Sequence, residues 1–342
     1  MNIFQKVSLQ DYSTMRLGGI AQFLVEINNK DDLVDAIKWA KSEKLEMIMI
    51  GKGSNIIWKD EGYKGLVLVN NILGFEAYDN EDDSLFVTVG AGEDWDFVVK
   101  RTVDMGFSGI ESLSLIPGKA GATPVQNVGA YGSEIASSLV SVEAYDLDTN
   151  KYVVIDSDNC GFSYRSSRFK TTDKNRFFIT AITLKLTRQI AEPPFYGSVQ
   201  KYFDDHKIEK ITASKIREAV ISIRESKLPD PKVVPNNGSF FTNPFVNSEL
   251  FKEIQTSYPN VIYWEVNKGT YKLSAAWLIE EAGYKAMNDA ETGISTWPTQ
   301  PLVFINTSAN STNDLLKFKD KVVKSIKKKF GVTLVMEPEL LP

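Results

Sequence analysis

Ile116-Pro117-Gly118-Lys119-Ala120-Gly121-Ala122-Thr123-Pro124-Val125-Gln126-Asn127-Val128-Gly129-Ala130-Tyr131-Gly132 is the stretch on which the fold turns. Four of the chain's 22 glycines fall in it: Gly118, Gly121, Gly129 and Gly132. Backbone without Cβ can approach a bound pyrophosphate closely and offer N–H donors, and threonine and asparagine add neutral donors. The stretch is too long and too polar for a simple turn.

The flanking patterns place this loop in a strand-rich context. Upstream, residues 85–89 read as a strand leading to Gly90-Ala-Gly-Glu. A helix follows over 94–105, with Trp95, Val98, Val99 and Thr102 on its apolar face and Gly106 as its stop. Downstream, 139–145, 151–155 and 177–186 read as strands, and Pro193-Pro194 marks a break. The chain opens with strand 21–27, helix 31–44, strand 46–50 and strand 66–69, a βαβ-like unit. Strand 46–50 runs into Gly51-Lys52-Gly53-Ser54-Asn55. That loop starts like a dinucleotide fingerprint, but Ile56 stands where the third glycine belongs, and no Gly-Lys-Ser/Thr closes a phosphate loop. Taken alone, it is more often an ordinary turn.

The final third is richer in helix. Residues 213–226 carry Ile216, Ala219, Val220 and Ile223 at helical spacing, and Leu228-Pro-Asp-Pro-Lys reads as a rigid linker. Short helices are expected near Glu249 and Ala275. A long one over 312–330 has the stripe Leu315, Phe318, Val322, Ile326 and Phe330, with Gly331 at its end and a last strand over 332–336.

Composition narrows the chemistry. The 342 residues hold 39 Lys and Arg against 44 Asp and Glu, a formal net charge of −5, which argues against a general nucleic-acid binder. One histidine, His206, and one cysteine, Cys160, rule out a disulfide framework and a zinc site built mainly from those ligands. A triad hydrolase would have to be built on His206. An enzyme here works mostly with carboxylates, Arg, Lys, Ser, Tyr or a borrowed cofactor. The N-terminal residues lack a long apolar core, so no signal peptide is expected, and no apolar run approaches the ~20 residues of a membrane span.

Residues 116–132 resemble the flavin-binding loop of the UDP-N-acetylenolpyruvoylglucosamine reductase (UDP-N-acetylmuramate dehydrogenase) family. The resemblance spans nearly the whole chain. Gly51-Lys-Gly-Ser-Asn, Gly90-Ala-Gly-Glu, Gly161-Phe-Ser-Tyr-Arg-Ser-Ser-Arg-Phe, Lys227-Leu-Pro-Asp-Pro-Lys, Gly238-Ser-Phe-Phe-Thr-Asn-Pro and Glu337-Pro-Glu stand in the family's order. It implies an α+β chain: a two-domain FAD-binding fold of the vanillyl-alcohol-oxidase (PCMH) type plus an α/β substrate-binding domain. The boundaries expected are 1–70 and 71–212 for the FAD-binding subdomains and 213–330 for the substrate domain, with a C-terminal strand in 331–342 returning to the FAD-binding half.

The resemblance also implies the reaction. FAD and NADPH serve to add hydride to C3 of UDP-N-acetylglucosamine-enolpyruvate in peptidoglycan precursor synthesis, with alternating, ping-pong kinetics. Charge then develops on C2 and its carboxylate, which calls for a cation and an acid. Arg165 matches the family's carboxylate-binding arginine, Ser239 the serine that protonates C2, and Glu339 the glutamate that helps stabilise the enolic intermediate. Gly51, Gly53, Ser54, Asn55, Gly92, Pro117, Gly118, Thr123, Asn127, Gly129, Tyr131 and Gly132 match the positions expected to hold FAD. Lys227, Asn243, Lys272 and Arg224 are expected at the substrate diphosphate. Tyr196, in Phe-Tyr-Gly-Ser, matches the tyrosine loop of the family's type I, which also carries a split βαββ insertion. Leu341 stands where the family has an arginine. Neither Cys160 nor His206 lies in a glycine loop. The first is expected to pack as a small hydrophobe and the second to lie on the surface, so FAD is expected to be dissociable and no metal is expected. A cytoplasmic monomer is expected, with no nucleic-acid or membrane partner. The alternatives left open are an FAD-dependent sugar or lactone oxidase of the same fold and a non-catalytic nucleotide-sugar binding protein.

Overall fold

Residues 1–80, 83–190 and 192–342 are described by a computed structural model, and among them the chain divides into two units. The first comprises Met1–Val7, Ala21–Lys52 and Tyr63–Glu225. Its N-terminal sheet runs in the order Ile3–Ser8, Ile20–Ile27, Tyr63–Asn70, Met47–Ile50, the last three strands parallel. Tyr63–Asn70 is buried at nearly every position, as befits a parallel strand covered on both faces. Helix Lys30–Ser42 makes the crossover. The Asn29 side chain caps it by accepting from the Asp32 N–H, and Leu33, Ala36, Ile37 and Ala40 face Val25, Leu66 and Leu68.

The first unit's other sheet is antiparallel, in the order Lys151–Asp156, Leu139–Asp146, Phe177–Thr187, Ser84–Gly90, Phe75–Asp79. Helix Trp95–Asp104 lays Trp95, Val98 and Val99 in the same core as Val87, Val142 and Ile182. Helices Gly197–Asp205 and Ala213–Lys227 share a smaller core, in which Val199 and Phe203 meet Ile216, Ala219 and Val220.

The second unit comprises Ser8–Ile20, Gly53–Gly62 and Ser226–Pro342. Its main sheet is antiparallel, in the order Asn236–Ser239, Gln300–Asn306, Ile294–Trp297, Asn288–Asp289. Helix Thr312–Phe330 buries the stripe legible in the sequence, and Phe304 packs at 4.5 Å from Phe240 and 4.9 Å from Phe318. Gly331 takes φ 71 at the C-terminus of that helix, the left-handed conformation that ends helices. Strand Phe245–Asn247, helix Ser248–Ser257 and strands Tyr263–Asn267 and Thr270–Leu273 follow in βαββ order.

The chain's end differs from the expected strand over 332–336. Val332 and Leu334 alternate into the core as a strand would, but among the described residues the segment forms no ladder beyond the isolated bridge of Phe241 with Met336. The strand is Glu339–Leu341, which runs parallel to Ile56–Trp58. Alternation reports burial, whereas a strand also needs a neighbour for its ladder, and the neighbour here lies at 56–58.

Candidate active site

The glycine-rich loop of the first unit is tied to the turn that carries Arg165. Ser163 and Ser166 exchange backbone hydrogen bonds, each 3.1 Å, so Tyr164 and Arg165 form a tight two-residue turn. Arg165 sits there at φ 55, a left-handed conformation rare for a residue with a side chain. Its Nη2 donates to the Gly129 carbonyl at 2.5 Å, and its guanidinium lies 5.2 Å from the Tyr164 ring centroid. The buried Asn127 donates from Nδ2 to the Ser163 carbonyl at 3.2 Å and to Glu134, and Ser167 Oγ donates to the Val125 carbonyl at 2.6 Å. Val125, Asn127 and Gly129 therefore hold the arginine's turn against the loop.

Further along, Gly129–Ala130 pairs with Ser133–Glu134 across Tyr131 and Gly132, at φ 50 and φ 85. Positive φ at both central residues is the geometry of a type I′ hairpin, which glycine at the second position makes cheap. Tyr131 meets Tyr196 edge to face at 5.7 Å, and the Arg224 charge acts on its phenol. Tyr196 is 43% exposed and leads into helix Gly197–Asp205, its carbonyl accepting from Val199 and Gln200. Arg224 Nε is shielded from solvent with no acceptor among the described residues. Burial pulls the Arg224 pKa down and pushes the Tyr131 pKa up. At the loop's start, Gly118 accepts from the Trp95 N–H at 3.1 Å, and Lys119 Nζ donates to the Gly92 carbonyl at 2.6 Å. Pro117 lies beside Gly118, and Gly51 packs its backbone on the Lys119 side chain. Thr123 is buried, with its hydroxyl donating to the Ala120 carbonyl at 2.7 Å.

In the second unit the Gly53-Ser54-Asn55 turn, Ser239 and Glu339 come together. A Cβ on Gly53 would lie 2.1 Å from the Tyr12 carbonyl oxygen, so only glycine fits that approach. The buried Asn237 donates from Nδ2 to Thr14 Oγ1 (3.1 Å), Ser54 O (3.3 Å) and Ile56 O (3.2 Å). Two residues on, half-buried Ser239 is in register with Val303, between Gly238 and the fully buried Phe240. The Glu337 N–H donates to the Phe240 carbonyl and the Glu339 N–H to the Asn55 carbonyl, each at 3.0 Å. Leu341 is in register with Trp58 and 5% exposed, a core contact rather than a solvent-facing side chain. Lys227 is exposed at the end of its helix, with its carbonyl accepting from Thr299 Oγ1 at 2.8 Å. Asn243 Oδ1 accepts from the Ala275 N–H at 2.9 Å. Lys272 Nζ lies 5.3 Å from the Trp264 ring centroid.

Cys160 is fully buried, and burial raises its thiol to about 11. His206 is exposed and stacks on Tyr202 at 4.0 Å. Among the described residues no group of three or more His, Cys, Asp and Glu side chains could hold a metal, and no helix is long and apolar enough to cross a membrane. Sequence reading missed Asn237, and it missed the ion pair of Asp96 with Arg217, 2.6 Å, whose members lie 121 positions apart.

A sequence model described as the FAD binding domain matches residues 21–155, and one described as the C-terminal domain of UDP-N-acetylenolpyruvoylglucosamine reductase matches 230–341. The chain is 36% identical over 333 residues to the UDP-N-acetylenolpyruvoylglucosamine reductase of Cupriavidus pinatubonensis, covering 97% of each. The chain belongs to the UDP-N-acetylenolpyruvoylglucosamine reductase family. The Escherichia coli K12 member is 35% identical over 97% of this chain and 94% of its own length, and the Flavobacterium johnsoniae member 34% over the whole of both. The crystal structure of the reductase from Thermus caldophilus has the same fold, with a TM-score of 0.68 over 100% of each chain at 22% identity. As a member of this family the chain is an FAD-dependent oxidoreductase that uses NADPH, with an FAD-binding fold of the vanillyl-alcohol-oxidase type.

The residues present fit that cofactor. Asn237 Oδ1, beside the Ser54 carbonyl, is a buried acceptor with no donor among the described residues. FAD offers hydroxyl donors on its sugar chains, the partner such a buried acceptor requires.

Proposed function

We propose that this chain reduces UDP-N-acetylenolpyruvoylglucosamine to UDP-N-acetylmuramate, with Arg165, Ser239 and Glu339 as its catalytic residues. The observation that carries the reading is the shared packing of the Ser239 strand, the Glu339 strand and the Gly53-Ser54-Asn55 turn. Bound FAD supplies the transfer of hydride from NADPH to C3 of the enol ether. Arg165 pairs with the substrate carboxylate and draws charge toward it. Glu339 helps stabilise the enolic form. Ser239 donates its hydroxyl proton to C2; a serine is a weak acid, but the carboxylate-stabilised carbanion is a strong base, and transfer between them is chemically reasonable when the bound substrate fixes the geometry.

Gly51, Gly53, Ser54, Asn55, Gly92, Pro117, Gly118, Thr123, Asn127, Gly129, Tyr131 and Gly132 hold FAD without a covalent bond. The Lys227 ammonium, the Asn243 amide and Lys272 bind the diphosphate of the substrate, Tyr196 gates its entry, and Arg224 acts with them. Residues 1–70 and 71–212 form the FAD-binding subdomains, joined by the 331–342 segment, and 213–330 the substrate domain. The protein works as a monomer in the cytoplasm.

The test is NADPH oxidation with and without the enolpyruvyl substrate. Oxidation that requires this substrate is expected; oxidation driven by a sugar or lactone, or none at all, would favour the alternatives. In Ser239→Ala, NADPH still bleaches the bound flavin, while its reoxidation by substrate slows by about 10²- to 10⁴-fold, the usual worth of a positioned acid. Unchanged reoxidation would remove Ser239 from the mechanism.

A further inference from the structure

Helix Ala213–Lys227 carries Arg217 and Arg224 about two turns apart, hence on one face. Arg217 reaches the start of the glycine-rich loop through Asp96. Arg217 forms a two-pronged pair with Asp96, Nη1 to Oδ1 at 2.6 Å and Nη2 to Oδ2 at 2.9 Å, and its side chain is only 11% exposed. Asp96 Oδ1 also accepts the Leu115 N–H at 2.5 Å. Leu115 directly precedes Ile116 and sits at φ 57, a conformation a branched side chain adopts only when something holds it. Asp96 lies in the first turn of helix Trp95–Asp104. That helix grips the same segment twice more, through the Trp95 N–H to Gly118 O (3.1 Å) and Trp95 Nε1 to Leu113 O (3.0 Å). Toward the other end, the Arg224 charge acts on Tyr131, which sits at φ 50 in the closing hairpin. The charges of both arginines act on Asp96.

We infer that helix Ala213–Lys227 braces the flavin loop at its entry. Arg217, acting through Asp96, fixes that entry at Leu115. Asp96 and Arg217 are thus positioning residues for FAD, although neither belongs to the loop. The inference rests on the reading that residues 116–132 bind FAD. The physical reason is preorganisation. Without a carboxylate acceptor, Leu115 relaxes from its left-handed conformation, and the loop must be reordered each time FAD binds. The bond from Leu115 is to an ionised acceptor, the stronger kind, and the two-pronged pair with Arg217 fixes the carboxylate's direction.

The test is FAD release from the purified holoenzyme on dilution, followed by flavin fluorescence, together with the melting temperature of each variant. Asp96→Leu and Arg217→Met are expected to raise the FAD dissociation constant at least tenfold. Arg217→Lys keeps the charge but loses the fork, and is expected to fall between them and the parent protein. Asp96→Asn keeps an oxygen for the Leu115 N–H, and is expected to weaken FAD less than Asp96→Leu. The exchanged pair, Asp96→Arg with Arg217→Asp, restores an ion pair and with it the melting temperature, but leaves Leu115 without its acceptor and FAD binding still weak. If the exchange restores FAD affinity along with stability, the pair is merely structural and the inference falls. It falls equally if folded Asp96→Leu holds FAD within twofold of the parent. Should Asp96→Leu fail to fold, Arg217→Lys decides by the same twofold criterion. A parent protein that binds no FAD would overturn the assignment of the loop itself.

Discussion

Replacing Asn237 tests whether the second unit is assembled as described. Its amide has two hydrogens for three acceptors: Thr14 Oγ1, Ser54 O and Ile56 O. Ile56 O retains a second donor, Ser13 Oγ at 3.1 Å, so its carbonyl is not stranded when Asn237 is lost. The cost therefore falls on the remaining two contacts, at about 1 kcal/mol each for neutral hydrogen bonds, or about 2 kcal/mol in all. At roughly 2–4 °C per kcal/mol for a unit of this size, Asn237→Leu, which keeps the volume, is expected to lower the melting temperature by roughly 4–8 °C. Asn237→Asp is expected to cost more, since it replaces the donor with a buried negative charge facing two carbonyl oxygens. The assay is thermal and urea unfolding of parent and variants without added FAD, repeated with FAD in excess. An Asn237→Leu protein within about 0.5 kcal/mol of the parent would refute the reasoning, because surface substitutions alone stay inside that range.

Two other outcomes follow from side chains the reaction does not use. The hydrogen bonds of Arg176 to Asp146, 2.9 Å on each oxygen, hold that carboxyl well below the ordinary range. Its stabilisation is full above the unfolded value of about 3.9 and is lost as pH falls through the depressed folded value. The melting-temperature gap between the parent and Asp146→Asn should therefore be widest near neutrality and shrink in strong acid; a gap that grows on acidification would contradict this. Leu341→Arg, which puts back the family's residue, is expected to lower the melting temperature and leave turnover no higher, because that side chain packs against the core at 5% exposure. Faster turnover without loss of stability would show that the side chain reaches solvent.

Short-range physics was legible in the chain. The stripe Leu315, Phe318, Val322, Ile326 and Phe330 and the stop at Gly331 follow from helical period and glycine's left-handed freedom, and the structure has both. The order of motifs around residues 116–132 was enough to identify the family. Partners across long loops were not legible. Val332 to Met336 alternate like a strand, yet the ladder forms at Glu339–Leu341, because pairing depends on where residues 56–58 arrive. Arg165 gives no sequence sign that it occupies a left-handed turn, since that conformation is imposed by Asn127, Gly129 and Ser167.

The ordered motifs by themselves identified the family, and the family brings the cofactor and the reaction class, one histidine and one cysteine being no handicap to a flavoenzyme. Only the tertiary structure decided how those residues are held. Asn237 is bonded across 183 positions to Ser54, and Arg217 across 121 to Asp96. A side chain's neighbours on its own helix or strand are fixed by local period. Its distant hydrogen-bond partners are fixed only when burial removes water as the alternative.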